Sequence, residues 1–347
     1  MGSHSAIKTA TGTDKINELG DELECKSKVT HAGEEREKIP GLLKKDVQHQ
    51  KYDWMAGDPY EPCATCKWSP FLAHFYNKYK SNHKLFYVCQ TNAVWSLGGE
   101  VILKDRPFEA VNAEADNMRF LSGKTTLPIP RVFHDWTDKD GIYHILMERT
   151  EGDTLESMWD KLDAETHEKL AKQTAEFLIQ FRSIQSDKIQ NVNGQPCNDN
   201  GLVPAGSEVL PIMSNDDEVW AAIEKVLAEV DQPLKEKIRR AMPPTKPYTF
   251  THGDLSICNI MVKDGNLSGL IDFEYSGYYP CWWEYARNAM GFTEADRVWK
   301  DLLYKYMEPH CESNEQGRRW WRACWGLARQ PKDESTKKKL EELFDEQ

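Results

Sequence analysis

One stretch of the sequence, residues 251–277, places polar residues at both feet of a predicted β-hairpin. The segments "NIMV" and "LSGLI" are typical of short buried strands, and the "KDGN" turn between them supplies the positive φ angles that a tight hairpin needs. Asn259 opens the first strand, Asp272 closes the second, and Asp254 lies in the adjoining loop. Because a hairpin brings its two feet together, we expect these three side chains to converge on one spot.

Two acids and an amide at one spot suit a hard cation and a proton transfer. Mg²⁺ takes oxygen ligands and commonly binds through one or two carboxylates together with substrate phosphates. A further acid that is not a ligand can orient a hydroxyl group and accept its proton. For either residue alone, a structural role is the simpler interpretation, with Asp254 capping a turn and Asn259 satisfying backbone groups. The D-x4-N spacing, with Asp272 on the other foot, favours the functional interpretation.

The rest of the chain changes character once, from strand-like to helical patterns. Residues 84–104 are typical of strands, and a helix is expected from Pro107, which suits a first turn, to Gly123, which suits a helix end. We therefore predict that residues 70–148 are mostly sheet with one helix and that residues 149–330 are mainly helical. A chain of 347 residues is long enough for two such lobes.

Both ends of the chain are polar. Residues 1–60 show little apolar periodicity and are predicted to form a disordered arm, and residues 331–347 are predicted to form a charged tail. Cys63 and Cys66 make a single C-x-x-C pair. A zinc site needs four ligands, and no second pair follows at a usual spacing, so two loop cysteines are favoured and metal binding there stays open.

The charge balance of the chain disfavours some partners. The formal net charge is −12, whereas nucleic acids and anionic membranes attract proteins with dense Lys and Arg patches. The sequence shows no apolar signal segment and no apolar run long enough for a membrane span. The nine cysteines are odd in number and lack a framework spacing, which is typical of reduced thiols. We therefore predict a cytoplasmic protein without an obligate protein partner.

Several motifs resemble those of one enzyme family. "HGDLSICN" followed by "IDFE" resembles the catalytic and metal-binding motifs of the aminoglycoside phosphotransferase family, which are small-molecule kinases with a protein-kinase-like fold. "TTLPIPRV", "MERTEGDTLESMW" and "SGYYPCWWEY" resemble in particular the large fungal branch of that family. The resemblance covers roughly residues 84–330. It implies a two-lobed α+β fold, with a small β-rich N-lobe and a larger, mainly helical C-lobe.

The resemblance also implies roles for the residues of the hairpin stretch. The enzyme would use ATP and Mg²⁺ to phosphorylate a hydroxyl group of a small molecule. Asp254 would be the catalytic base, and His252 would brace its loop. Asn259 and Asp272 would hold Mg²⁺ on the nucleotide phosphates. Phosphoryl transfer depends mostly on positioning and on stabilisation of charge, so few groups are needed.

The first lobe should then supply the remaining nucleotide contacts. Lys104 ends the strand "EVILK" and is the candidate for gripping the phosphates, with Glu114 on the inward face of the next helix as its partner. The segment "HILMERTEG" would connect the lobes, and the backbone of Glu148, Arg149 and Thr150 would bind the adenine edge. The turn near "CQTN" lacks a glycine-rich phosphate loop, which leaves the choice between ATP and GTP open.

Alternatives to this interpretation remain. A choline- or ethanolamine-type kinase would have the same fold and similar catalytic and metal-binding motifs. A catalytically silent kinase-like binding protein would share the fold alone. A protein kinase is disfavoured, because no A-P-E follows and only nine residues separate Asp272 from Trp282. Trp282, Trp283 and Tyr285 could bind a cationic acceptor through cation–π contacts, but a place in the core is favoured.

Two further acids could serve the acceptor. Glu274 and Glu284 could face the acceptor pocket and bind an amine, but the sequence does not fix the direction of either side chain. The acceptor itself, the phosphorylated position and the oligomeric state carry no readable signature. The predicted partners are therefore a nucleotide and a small-molecule hydroxyl acceptor of unspecified identity.

Overall fold

A computed structural model of the chain describes residues 83–89, 92–97, 100–107, 111–198, 201–204, 209–287 and 293–331. The predicted arm of residues 1–60, Cys63 and Cys66, and the predicted tail beyond Pro331 lie outside the described residues.

The N-terminal part of the described chain is a five-stranded antiparallel sheet in the order β1-β2-β3-β5-β4, with one helix, α1, between β3 and β4. The elements are β1 (His83–Cys89), β2 (Asn92–Leu97), β3 (Val101–Pro107), α1 (Glu114–Leu121), β4 (Val132–Thr137) and β5 (Ile142–Glu148). Strand β3 lies in the middle of the sheet and pairs with β2 on one side and β5 on the other.

The structure corrects two expectations for this region. The helix predicted from Pro107 to Gly123 begins at Glu114 and ends at Leu121. Pro107 is instead the last residue of β3, because the pairing with β5 continues to this position, where a strand end tolerates proline. For the same reason Lys104 lies within β3 and not at its end.

The C-terminal part of the described chain is mainly helical. Its helices are α2 (Leu155–Met158), α3 (Ala164–Arg182), α4 (Asp216–Val226), α5 (Gln232–Arg240), α6 (Trp283–Arg287), α7 (Glu294–Met307) and α8 (Asn314–Arg329), and 3₁₀ turns span Trp159–Lys161 and Glu308–His310. Its strands are β6 (Asp153–Thr154), β7 (Gln185–Ser186), β8 (Cys197–Asn198), β9 (Val209–Leu210), β10 (Tyr248–Thr251), β11 (Ile260–Lys263), β12 (Asn266–Leu270) and β13 (Gly277–Pro280). The predicted α+β class, with a β-rich first part and a larger helical second part, is confirmed.

The predicted hairpin consists of β11 and β12. The turn residues Asp264 and Gly265 have φ angles of 51° and 67°, which is the left-handed conformation that the "KDGN" sequence predicts. On its other side β11 pairs with the short β6, so the hairpin becomes a three-stranded sheet. This pairing fixes the position of the hairpin feet relative to the start of the helical part.

Indole rings fill the core around α6 and α8. Trp282 and Trp283 are fully buried and make edge-to-face contacts with Trp320 and Trp321, with ring centroids 5.9 and 5.2 Å apart. Gly317 makes room for this packing, because a Cβ atom there would meet the Trp282 ring at 2.5 Å. The favoured interpretation of Trp282 and Trp283 as core residues is therefore confirmed. Among the described residues, no helix combines the length and the apolar character that crossing a bilayer requires.

Candidate catalytic site

The two feet of the hairpin meet as their sequence positions predict. The backbone amide of Ile271 donates to the carbonyl oxygen of Asn259 at 3.1 Å, which joins the end of the second strand to the start of the first. The Asn259 side-chain amide donates to the carbonyl oxygen and to Oδ2 of Asp254, both at 2.9 Å. Asp272 has a φ angle of 69°, so the chain turns sharply just beyond the hairpin. Asp254, Asn259 and Asp272 therefore belong to one site.

His252 connects the loop of Asp254 to the second hairpin foot. The ring is buried, and its Nδ1 accepts the backbone amide of Asp254 at 3.2 Å. Nε2 must then carry the proton, which it donates to the carbonyl oxygen of Ile271 at 3.1 Å. Burial lowers the pKa of His252 to about 4, so the ring is neutral at pH 7. A neutral ring is what one accepting and one donating nitrogen require.

The environment of Asp254 favours a proton acceptor stronger than an exposed carboxylate. Burial raises the pKa of the Asp254 carboxyl, and the negative charge of Asp272 raises it further. The positive charges of Arg287 and Lys300 and the hydrogen bond from Asn259 oppose this shift. Asn259 occupies only one of the two carboxylate oxygens, Oδ2. The carboxylate is thus oriented by a protein donor and has a raised affinity for a proton.

Lys104 joins the sheet of the N-terminal part to this site. Its ammonium group lies 2.8 Å from Glu114 Oε2 on α1 and 2.7 Å from Asp272 Oδ1. Burial lowers the pKa of Lys104, but attraction by Asp272 and Glu114 outweighs burial and holds this pKa above its ordinary value. Burial likewise raises the pKa of Asp272, and attraction by Lys104 reverses the shift to a net lowering. Lys104 and Asp272 are therefore both charged in the folded protein at neutral pH.

If Lys104 grips nucleotide phosphates as the sequence predicts, removing the acid on α1 should weaken nucleotide binding. In Glu114→Gln, Lys104 keeps only Asp272 as a charged partner and is held less firmly in place. We expect the KM for Mg·ATP to rise about tenfold, since a hydrogen bond to a charged group contributes roughly 1.5–3 kcal/mol. Steady-state kinetics measure this change, with the exposed Glu165→Gln as the matched control. An unchanged KM would show that the Lys104–Glu114 pair does not serve the nucleotide.

A second ion pair, which the sequence interpretation missed, lies beside the first. Arg106 is buried and its Nη1 contacts Glu274 Oε2. Glu274 therefore binds an arginine and not an amine of an acceptor. Lys104 pairs with Asp272, and Arg106 pairs with Glu274, which lies two residues further along. The two cations can make parallel contacts because alternate residues of β3 lie on one face of the strand. The spacing of Lys104 and Arg106, two residues apart in one strand, is the sequence signal from which the Arg106–Glu274 pair could have been predicted.

Two asparagine amides hold the segment Asp272–Glu274, called here the DFE segment. The side-chain amide of Asn117 on α1 donates to the carbonyl oxygens of Phe273 and Ser276 at 2.9 and 3.0 Å. The side-chain amide of Asn198 donates to the Val111 carbonyl oxygen at 3.0 Å and to the Glu274 carbonyl oxygen at 3.3 Å. The backbone beyond Asp272 is therefore attached to the N-terminal part at several points.

Glu284 supports the loop of Asp254 from the opposite side. The carboxylate is buried, and it accepts the backbone amides of His252 at 2.5 Å and Gly253 at 3.1 Å. Its carboxylate is thus engaged by the loop of Asp254, which corrects the suggestion that Glu284 binds an acceptor amine. Burial raises the pKa of Glu284 to about 7 in spite of these two donors.

The raised pKa of Glu284 predicts how stability depends on pH. A folded-state pKa above the unfolded value means that the folded state binds the proton more tightly. This contribution is fully present below pH about 4.5, the ordinary value, and is lost as pH rises through about 7. The loss should reach about 3 kcal/mol, at about 1.4 kcal/mol per pKa unit. Urea unfolding at pH 5 and pH 8 should show a smaller difference in Glu284→Gln than in the wild type, and equal differences would contradict the assignment.

The segment predicted to bind the adenine edge uses two of its amides within the protein. Glu148 donates its amide to the Arg131 carbonyl oxygen and Arg149 donates to the Glu100 carbonyl oxygen, both at 2.8 Å. These bonds extend the sheet to the end of β5. Nucleotide recognition by this segment would therefore depend on carbonyl oxygens and on the amide of Thr150.

Known proteins resemble this chain in sequence and in fold. A family model described as "Phosphotransferase enzyme family" matches residues 90–323. An aminoglycoside 3'-phosphotransferase of Enterococcus faecalis is 31% identical over 204 residues, which cover 56% of this chain and 72% of that protein. An aminoglycoside 3'-phosphotransferase of Staphylococcus aureus is 30% identical over 179 residues, which cover 50% of this chain and 62% of that protein, less than two thirds of its length.

Solved structures resemble the chain at lower sequence identity. A ternary complex of APH(2")-IIa with streptomycin and ATP is 16% identical with a TM-score of 0.48, and the match covers 80% of this chain and 96% of that one. A thermostable mutant of the aminoglycoside phosphotransferase APH(4)-Ia, in ternary complex with AMP-PNP and hygromycin B, is 14% identical with a TM-score of 0.48. The match covers 75% of this chain and 90% of that one.

Proposed function

Because this chain belongs to the phosphotransferase enzyme family, we propose that it transfers the γ-phosphoryl group of ATP to a hydroxyl group of a small molecule. The observation that carries the proposal is the pair of contacts made by Lys104, which joins Glu114 to Asp272 next to a carboxylate with a raised pKa. We further propose that residues 70–148 bind the nucleotide and that residues 149–330 carry the catalytic loop and bind the acceptor.

Asp254 is the proposed base. Its Oδ2 is oriented by Asn259, so Oδ1 is the oxygen that accepts the hydrogen bond of the acceptor hydroxyl. The hydroxyl oxygen bonds to the γ-phosphorus as the bond to the bridging oxygen breaks, and Asp254 takes the proton. ADP leaves with the bonding electrons. His252 and Glu284 hold the loop backbone, so the carboxylate needs little rearrangement during the reaction.

Asn259 and Asp272 are the proposed ligands of Mg²⁺. Since the Asn259 side-chain nitrogen faces Asp254, the oxygen of the same amide is available for a cation. Oxygens of Glu114, Asp272 and Glu274 lie within 4.8 Å of one another, but Lys104 and Arg106 pair with the two glutamates. An amide oxygen and a carboxylate are donors that Mg²⁺ prefers. When bound, Mg²⁺ would neutralise negative charge on the phosphate oxygens.

The nucleotide is proposed to lie between Lys104 and the end of β5. Lys104 contacts the phosphates, with Glu114 fixing its position, and the segment Glu148–Thr150 contacts the adenine through the backbone. This arrangement uses the same lysine that bridges α1 and the DFE segment. ATP is the proposed nucleotide, and GTP is the competitor to compare.

A choline- or ethanolamine-type kinase gains no support from the described residues. Trp282, Trp283 and Tyr285 are buried, so they offer no open aromatic platform to a quaternary ammonium group. Glu274 and Glu284 are engaged by Arg106 and by backbone amides. A catalytically silent binding protein would explain the fold, but it would not explain why the proposed base and metal ligands are connected to each other.

The proposal is tested by measuring ADP release with a panel of acceptors. The panel contains aminoglycosides, choline, ethanolamine and uncharged polyols, each with Mg·ATP and with Mg·GTP. Acceptor-dependent ADP release is the expected result, and the active acceptor defines the substrate class. If Mg·ATP raised neither ADP release nor the melting temperature, the proposal would be overturned in favour of a silent binding protein.

A cytoplasmic location and the absence of an obligate protein partner stay predictions. Fractionation of cells that express the chain, and the mass of the purified protein in solution, would test them.

A further inference from the structure

A second buried carboxylate supports the loop of Asp254, in addition to that of Glu284. It belongs to Asp296 in the first turn of α7, and its Oδ1 accepts the backbone amide of Ile257 at 3.1 Å. Asp296 and Ile257 are both buried, so water has little access to this contact. Glu284 accepts amides that come just before Asp254 in sequence, and Asp296 accepts one that comes just after it.

The same helix holds a second backbone group of this loop. The indole nitrogen of Trp299 donates to the Leu255 carbonyl oxygen at 3.2 Å. From α2, the backbone amide of Glu156 donates to the Ile257 carbonyl oxygen at 3.0 Å. Leu255, Ile257 and Trp299 are buried, so these backbone groups depend on protein partners. Residues 255–258, between the proposed base and the proposed metal ligand, are therefore held by α7 and α2.

An ion pair keeps the Asp296 carboxylate in place. Its Oδ2 lies 2.9 Å from Nζ of Lys300, one helical turn further along α7, and both side chains are buried. The hydroxyl of Thr293 caps the helix and accepts the Asp296 backbone amide at 3.1 Å. The two oxygens of the carboxylate thus contact different partners, Oδ1 the loop and Oδ2 the lysine.

Stability alone does not account for this buried ion pair. Replacing such a pair with apolar residues of similar volume is often neutral or stabilising, because it is costly to take two charges out of water. An apolar residue at position 296 would, however, remove the acceptor of the buried Ile257 amide. The carboxylate therefore does what an apolar residue could not do, which is to hold the loop.

We propose that Asp296 is a positioning residue for phosphoryl transfer, which acts on Asp254 through the backbone of residues 255–258. This inference rests on the proposed function, in which Asp254 is the base and Asn259 is a metal ligand. Asn259 is also fixed at the hairpin foot, because its carbonyl oxygen accepts the Ile271 amide. Asp254 lies within the loop itself, so loss of the α7 contact displaces the base more than the metal ligand. The expected result is a lower kcat with little change in the KM for Mg·ATP.

Two double variants of the full chain test the loop contact while avoiding a buried charge that has lost its counter-charge. Asp296→Asn/Lys300→Met keeps an oxygen that can accept the Ile257 amide, whereas Asp296→Ala/Lys300→Met has none. We expect kcat of the alanine variant to fall roughly a hundredfold, since a small displacement of a reacting group can have an effect of this size. The asparagine variant should stay within about fivefold of the wild type. In both variants the KM for Mg·ATP should change less than about threefold.

The control for these variants is Asp301→Ala, an exposed acid on the same helix, which should keep both constants. Melting without ligand shows whether each double variant folds. Equal kcat values in the two double variants of an active enzyme would overturn this inference and leave the proposed function standing. A wild type that releases no ADP with any acceptor would overturn both.

Hydrogen exchange tests the same contact without turnover. In Asp296→Ala/Lys300→Met, peptides that cover residues 251–259 should exchange at least about tenfold faster than in the wild type, because a hydrogen bond to a charged group is lost. Peptides of the β11–β12 hairpin turn should keep their wild-type rate. Unchanged exchange of residues 251–259 would show that Asp296 does not hold the loop, and the inference would fall. Faster exchange with a kcat near the wild-type value would also overturn it, because the loop contact would then not affect the reaction.

Discussion

Replacing Asp254 with asparagine is expected to lower kcat about a thousandfold, the middle of the range for loss of a general base. The KM for Mg·ATP should change by no more than about twofold, because Asp254 is not a proposed metal ligand. Asparagine keeps an oxygen that can accept the hydrogen bond from Asn259, so the loop keeps its position. Steady-state kinetics with the active acceptor separate the two constants.

Two further measurements on Asp254→Asn decide whether the loss is chemical. The variant should keep the wild-type rise in melting temperature with Mg·ATP, because its nucleotide site is intact. A plot of kcat against pH should lose the limb that corresponds to Asp254. If the variant kept more than a tenth of the wild-type kcat, Asp254 would not be the base.

Replacing Asp272 with alanine should abolish the effect of Mg·ATP on stability as well as activity. Ligand at about 100 times its dissociation constant stabilises a protein by roughly 2.7 kcal/mol. This stabilisation should vanish in the variant, because a proposed metal ligand is gone and Lys104 is left with Glu114. We expect kcat to fall at least about a thousandfold, since charge stabilisation is the main catalytic contribution in phosphoryl transfer.

The controls for Asp272→Ala separate metal binding from folding. Melting without ligand shows whether the variant is folded, and the exposed Asp160→Ala serves as the matched control that keeps the full Mg·ATP response. Titration with Mg²⁺ at fixed ATP should leave the melting temperature of Asp272→Ala unchanged. A metal-dependent rise of wild-type size in this variant would contradict the assignment of Asp272.

The local parts of the site could be predicted because short-range rules govern them. The turn at Asp264 and Gly265, the meeting of Asn259 with the second hairpin foot, and the inward position of Glu114 all follow from alternation, turn chemistry and helical spacing. The predicted start of α1 at Pro107 was wrong, because a proline suits the end of a strand as well as the first turn of a helix. Only the pairing of β3 with β5, which is not local, decides between the two.

The contacts that join distant segments could not be predicted from local patterns. Lys104 and Asp272 are 168 residues apart in sequence, and so are Arg106 and Glu274. Because the two sequence separations are equal, β3 and the DFE segment run parallel where these two ion pairs join them. The orientation of the Glu284 side chain could not be predicted either. Its partners are backbone amides, which every residue except proline carries, so no residue type indicates them.

The hydrogen bonds of Asn117 have a consequence for inhibitor design. Phe273 is fully buried against the His252 ring, with ring centroids 4.7 Å apart, and Asn117 holds its carbonyl oxygen. A drug that binds by displacing this phenylalanine would have to break the hydrogen bond from Asn117 to the Phe273 carbonyl oxygen and move a fully buried ring. Compounds that leave Phe273 in place avoid that penalty. Asn117→Ala would be the variant on which to look for displacing compounds.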